Sequence, residues 1–217
     1  MMLSNRKRGT LKMLSRAELK LQAKEQLKGN LGILVLCGVI YFAISMALGM
    51  IPYIGAIATI FVIPPIYLGL FIVLLNITYG EKAEVGTLFA PFSNCFGTSI
   101  ITNLLVGIYQ LGWSLLFIIP GIIKQYSYAM TFYILAENPD MTANEAITES
   151  RQIMDGHKFE LFVLRLSFIP WILLGCITFG IAYIYVLPYM NLTITNFYHN
   201  IKRESEVVEP VYETNAF

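Results

Sequence analysis

The chain has 217 residues, of which 56% are hydrophobic and 13% charged, with a net charge of +1 and a mean hydropathy of +0.63. So few polar side chains cannot cover a water-soluble surface of this size, which excludes an ordinary soluble globular domain and points to a bilayer as the solvent.

Residues 1–14 read as a flexible basic tail. Ser15 with Glu18 fits a capping box, in which a hydroxyl and a carboxylate satisfy unpaired amides at a helix start. Behind that start Arg16, Lys20, Lys24 and Lys28 recur every four residues, a spacing that drifts by only about 40° per step and so makes one basic stripe. Leu19, Ala23 and Leu27 lie alongside it. Such a surface helix suits anionic headgroups, each cation contributing on the order of 1 kcal/mol. The plainer reading, in which these cations only fix topology, is the one the pattern favours.

Leu31 to Gly80 contains no Asp, Glu, Lys or Arg, a run long enough for two crossings at roughly 20 residues each. Cys95 to Ala136 is interrupted only by Lys124, and Leu161 to Ile201 only by Arg165. Proline and glycine punctuate each run at Met50-Ile-Pro-Tyr-Ile-Gly55, Ile119-Pro-Gly121 and Leu174-Gly-Cys-Ile-Thr-Phe-Gly180. Helices are therefore predicted at 31–51, 54–79, 96–118, 120–137, 159–176 and 180–201. The fold class is all-α: a polytopic bundle of about six transmembrane helices, arranged as three hairpins, each preceded by an amphipathic surface segment. Residues 15–203 form this one membrane domain, and 204–217 read as an acidic disordered tail.

All but one of the 15 Lys and Arg fall in the segments before 31, between the second and third helices, around 138–165, and after 201. Only Lys124 is assigned to the opposite side. The positive-inside rule then places both termini in the cytoplasm. Ser45-Met-Ala47 looks like a cleavage site, but the long charged segment and long apolar run before and around it argue against a signal peptide.

The hairpin unit repeats internally. Ala17-Glu18 aligns with Asn144-Glu145, Lys24 with Arg151, Gly29-Asn30 with Gly156-His157, and Leu34 with Leu161, without gaps. Thr142 with Glu145 supplies a second capping box, and Ala143, Ala146, Ile147, Ser150, Ile153, Met154 and His157 share one face. The middle copy, 81–94, is the least regular because Pro91 interrupts a helix there.

Ser15-Arg-Ala-Glu18, Ile118-Ile-Pro-Gly-Ile-Ile-Lys-Gln-Tyr-Ser-Tyr128, Ala143-Asn-Glu-Ala-Ile147, Ser150-Arg-Gln-Ile-Met-Asp-Gly-His-Lys158 and Val186-Leu-Pro-Tyr189 together resemble a bacterial membrane-protein family defined as a domain of unknown function, number 975. The resemblance implies a polytopic protein of bacterial, mostly Gram-positive, membranes and supplies no activity. Arg165 departs from the pattern, and its charge needs the cytoplasmic interface or a partner such as Glu160 or Glu137.

Proline within a membrane helix frees a carbonyl that lipid cannot satisfy, so such breaks should face protein or water. From these prolines run three polar stripes: Pro65, Gly69, Asn76 and Tyr79; Pro120, Lys124, Tyr128 and Thr131; Pro188, Asn191, Thr195 and Tyr198. They could converge on a polar pocket with Lys124 near its outer mouth, fit for an anionic or zwitterionic headgroup. The favoured alternative is that they serve interhelical packing.

No carboxylate lies inside a predicted span, no phosphate-binding glycine loop or hydrolase motif is present, and His157 and His199 are far apart. No catalytic residue, metal site or cofactor is expected, and no nucleic-acid partner. The expected role is non-enzymatic: organising membrane lipids, through anionic headgroups at the cytoplasmic face, or partner membrane proteins. The alternative is a carrier or channel for a small solute or amphiphile.

Overall fold

The computed structural model describes residues 14–116 and 118–213, and every regular element among them is helical. In chain order these are α1 (Arg16–Gly49), α2 (Ile54–Tyr79), a 3₁₀ turn (Val85–Phe89), α3 (Pro91–Asn94), α4 (Phe96–Leu116), α5 (Ile118–Ser127), α6 (Thr131–Glu137), α7 (Ala143–Ile153), α8 (Lys158–Leu166), α9 (Ile169–Ile177) and α10 (Tyr183–Glu213). The tail expected at 1–14, with Arg6, Lys7, Arg8 and Lys12, lies almost wholly outside the described residues. At the other end α10 continues to Glu213, within the segment 204–217 expected as a tail, and 214–217 lie outside the described residues.

Three segments are long and apolar enough to cross a membrane: Arg16–Gly49, Ile54–Tyr79 and the consecutive pair Lys158–Ile177. A fourth is added if the bent pair Val85–Asn94 and Phe96–Leu115, angled at 91°, counts as one. The segments expected as fourth and sixth crossings are of another kind. Residues 120–137 are divided, because α5 stops at Ser127 and α6 starts at Thr131. In α10 the apolar residues are diluted by Asn191, Asn196, His199 and Asn200.

Local signals set the helix starts. Both capping boxes are formed: Ser15 and Glu18 at α1, Thr142 and Glu145 at α7, each with hydroxyl and carboxylate reciprocally bonded. Pro91 occupies the first turn of α3, where its missing N–H has no partner to lose; it opens a short helix as well as closing the 3₁₀ turn. Gly29 and Asn30, in contrast, do not interrupt α1, which runs unbroken from the basic stripe into the apolar run.

The core lies in the halves of the helices remote from the turns. α6 is its centre, with Thr131, Phe132, Tyr133, Ile134 and Leu135 all buried, and it packs chiefly on α2 and α7. α1 packs most extensively on α10, through Leu19, Ala23 and Leu27. An aromatic column joins α2, α6 and α10: Tyr67 and Phe71 meet edge-on at 4.8 Å, Phe71 meets Tyr133 edge-on at 4.5 Å, and Tyr133 stacks on Tyr198 at 5.1 Å. Gly69 lets the 3₁₀ turn cross α2 at contact distance. A Cβ there would meet the Leu88 carbonyl oxygen at 2.1 Å, and Leu88 is fully buried. Pro64, Pro65 and Pro188 lie inside α2 and α10 without breaking them and are buried as well, so these prolines face protein.

Candidate functional site

Two polar assemblies stand out. The first is built on Glu137, the last residue of α6. Its Oε1 accepts the Tyr79 hydroxyl, and its Oε2 accepts the Tyr198 hydroxyl at 2.7 Å and the Lys202 ammonium. Three helices, α2, α6 and α10, are thus tied through one carboxylate whose side chain is 10% exposed. The His199 ring lies edge-on to Tyr79 at 5.1 Å. With two phenols and one cation on its two oxygens, the carboxylate is hydrogen-bonded at both oxygens and neutralised, an arrangement suited to holding helices together.

The second assembly lies between α5 and α7. The buried Ser150 hydroxyl donates to the Ser127 carbonyl at 2.8 Å and accepts the Met130 amide at 3.2 Å, pinning α7 to the break between α5 and α6. That contact brings α7 alongside Lys124. Two adjoining hollows result, of about 360 and 270 Å³, which share Lys124, Thr148 and Arg151. The first is completed by Ser127, Gln152, Asp155 and Lys158. The second is completed by Tyr109, Trp113, Tyr128, Asn144 and Ile147. Lys124 sits over the Trp113 ring at 4.7 Å, and Lys158 pairs with Asp155 at 3.2 Å.

The predicted pocket residues are dispersed between these places. Tyr79 and Tyr198 meet at Glu137. Lys124 and Tyr128 line the α5–α7 hollows. Thr131 and Thr195 are buried and donate to backbone carbonyls, of Tyr128 at 2.9 Å and Asn191 at 2.8 Å. Asn76 is half-buried, and its carbonyl accepts the Glu81 amide at 2.8 Å where α2 ends. Lys124 is placed beside Arg151 and Lys158, whereas the cation distribution sets it apart from them; α5 is only 10 residues long, so its last turn already lies at the level of α7.

On the basic stripe, Arg16, Lys24 and Lys28 are exposed. Lys20 is engaged: its ammonium donates to the Ser167 carbonyl at 3.4 Å and lies 4.5 Å from the Phe168 ring centre, at the joint between α8 and α9. Arg165 takes neither expected partner. Glu137 is held by Lys202, Glu160 faces His157 at 3.2 Å, and Arg165 lies over Tyr126 at 5.4 Å.

A family model described as "Protein of unknown function (DUF975)" matches residues 13–124 and 115–205. The chain belongs to this family. No curated protein and no solved structure matches it significantly.

For this DUF975 chain, sequence reasoning misses Glu137 and Lys202 as partners of Tyr79 and Tyr198, and Arg151 and Lys158 as neighbours of Lys124. A signal for the first exists: Glu137 is the first charged residue after Lys124, at the end of a long apolar stretch, and such a carboxylate needs a partner. For the second, Ser150 belongs to the shared face of α7 that the spacing predicts, but its target across the bundle is not legible.

Proposed function

We propose that this DUF975 protein is a multi-pass component of the bacterial cytoplasmic membrane. It inserts three helical hairpins tip first, keeps both termini in the cytoplasm, and acts without catalysis by organising lipid headgroups or partner proteins there. One observation carries the reading. At the turn after α1, the end of α4 and the turn after α9, the side chains of Tyr53, Leu115 and Phe179 are 90%, 91% and 98% exposed. Leaving each of these large apolar groups in water forgoes about 1.5–3 kcal/mol, and the flanking turns add Met50, Ile54, Leu111, Ile177 and Ile181 to the exposed set. A bilayer removes that cost.

The three tips share a construction that supports the hairpin reading and the internal repeat. In each, a small residue lets the two helices touch: Gly55 meets Leu48, Gly121 meets Ser114, and Gly175 meets the Tyr183 ring. The non-catalytic reading is supported by the way the buried polar groups are used. Thr131, Thr193 and Thr195 bond the backbone of their own segments, and both oxygens of Glu137 are engaged by Tyr79, Tyr198 and Lys202.

Cysteine labelling in a background lacking Cys37, Cys95 and Cys176 tests this. Tyr53→Cys and Phe179→Cys should react with a membrane-impermeant maleimide from outside intact cells, and Lys82→Cys only after lysis. Labelling of both classes from the same side, or release of the chain by alkaline carbonate, would overturn the reading. Mutation-sensitive solute flux in proteoliposomes would replace it with a carrier.

A further inference from the structure

The cations between α5 and α7 are arranged as few structural cations are. Lys124 comes from α5, Arg151 from α7 and Lys158 from the start of α8, so folding brings three like charges from three elements around one hollow. Asp155 is the only carboxylate among the described residues that line it, and it is paired with Lys158. Among the described residues Lys124 has an aromatic face and no counter-anion, while the side chains of Arg151, Thr148 and Gln152 bond no described residue. Such a cluster repels itself unless an anion joins it. Arg151 offers the planar fork that matches phosphate oxygens, Lys124 a point charge, and Thr148 a hydroxyl donor.

The adjoining hollow makes the site amphiphilic. Tyr109, Trp113 and Tyr128 line it, with the Tyr109 and Tyr128 rings 6.1 Å apart. Aromatic side chains of this kind favour the level of lipid headgroups, where one end is dry and the other wet. Beside them in the chain, Ile108, Leu111, Ile122 and Ile123 are exposed, an apolar surface leading away from the cations.

Resting on the membrane reading above, we propose that the α5–α7 groove binds a phosphate ester, held by Lys124 and Arg151, with Lys158 reinforcing the charge. The apolar flank favours the phosphate of an anionic phospholipid over a soluble ester.

The test uses the full chain in detergent with Trp171→Phe, so that Trp113 is the reporter. Titration with phosphatidylglycerol in mixed micelles should change Trp113 emission saturably. The Lys124→Gln/Arg151→Gln pair should weaken binding at least about tenfold, as expected for lost charge-assisted hydrogen bonds. The pair Lys82→Gln/Arg203→Gln, exposed and outside both hollows, should weaken it by less than about twofold, since neither cation lies on the groove or on the basic stripe. Competition by millimolar inorganic phosphate or glycerol phosphate would support the site with a soluble ester as its ligand; failure of both to compete while the lipid binds would support the lipid. Equal affinity of the parent and the Lys124/Arg151 pair, or an equal loss from the Lys82/Arg203 pair, would overturn the groove. If the double variant fails to elute as a folded monodisperse particle, Arg151→Gln alone, at an exposed position, carries the same expectation. Membrane retention after carbonate extraction is scored separately, so a groove that fails in a chain that stays in the membrane leaves the membrane reading intact.

Discussion

Two regions of the molecule share a register and differ in shape. From Ser15 and from Thr142, at a fixed spacing of 127 residues, each begins with a capping box and buries the corresponding side chains: Leu19 and Ala146, Ala23 and Ser150, Leu27 and Met154, Leu34 and Leu161, Cys37 and Leu164. Yet α1 is one helix of 34 residues, while its counterpart breaks after α7, where Gly156 takes φ of +84°, and resumes as α8 and α9. The glycine permits either course. What decides is the partner: α1 lies along α10, whose length supports a continuous helix, whereas α7 is pinned by Ser150 to the break between α5 and α6. An aligned sequence can thus keep its buried face and still change its path at one permissive residue.

The largest expected effect is at the junction of the two regions. Glu137 belongs to α6, the partner of α7, and holds Tyr198 and Lys202 of α10, the partner of α1. Glu137→Ala leaves a mostly buried ammonium and two hydroxyls without their acceptor, and should lower stability by about 3 kcal/mol. Thermal unfolding in detergent would measure it, and an unchanged midpoint would remove Glu137 as the tie.

Next come the equivalent core positions. Leu27→Ala and Met154→Ala, both fully buried, should each cost roughly 2–4 kcal/mol. Similar losses would show that the two regions bury their common face with comparable effect; a loss confined to one would break the comparison.

The aligned glycines should answer with opposite signs. Gly29 is helical, and a Cβ added to it would meet nothing within 4 Å, so Gly29→Ala should stabilise by about 0.5–1 kcal/mol. Gly156 has equal space but the positive φ, so Gly156→Ala should destabilise by about 1 kcal/mol. Same-signed shifts in urea or thermal melts would refute the account of the break.

The smallest effect concerns pH. The Thr142 hydroxyl and amide hold the Glu145 carboxyl below its ordinary value of 4.5. Its contribution to the start of α7 is therefore complete above that value and is lost as pH falls through the lower folded one. Amide protection factors in the first turn of α7, corrected for the intrinsic pH dependence of exchange, should fall in that acid window, and Glu145→Gln should flatten the dependence.

Helix starts are legible in the sequence because their causes are local: Ser15 with Glu18, Thr142 with Glu145, and the glycine and proline turns near 52, 120 and 178 act within a few residues of themselves. The Glu137 clamp is not, since Tyr79, Glu137, Tyr198 and Lys202 are brought together only when α2, α6 and α10 pack. Nor is the fate of Lys124, whose neighbours depend on where Ser150 finds its hydrogen-bond partners.

By itself the sequence determined that this chain is helical, with several stretches long and apolar enough to cross a membrane, because hydropathy and capping are properties of short stretches. Tertiary structure alone decided which polar stripes serve packing and which cations gather around one groove. Charges interact over distances set by the fold, and position along the chain does not record those distances.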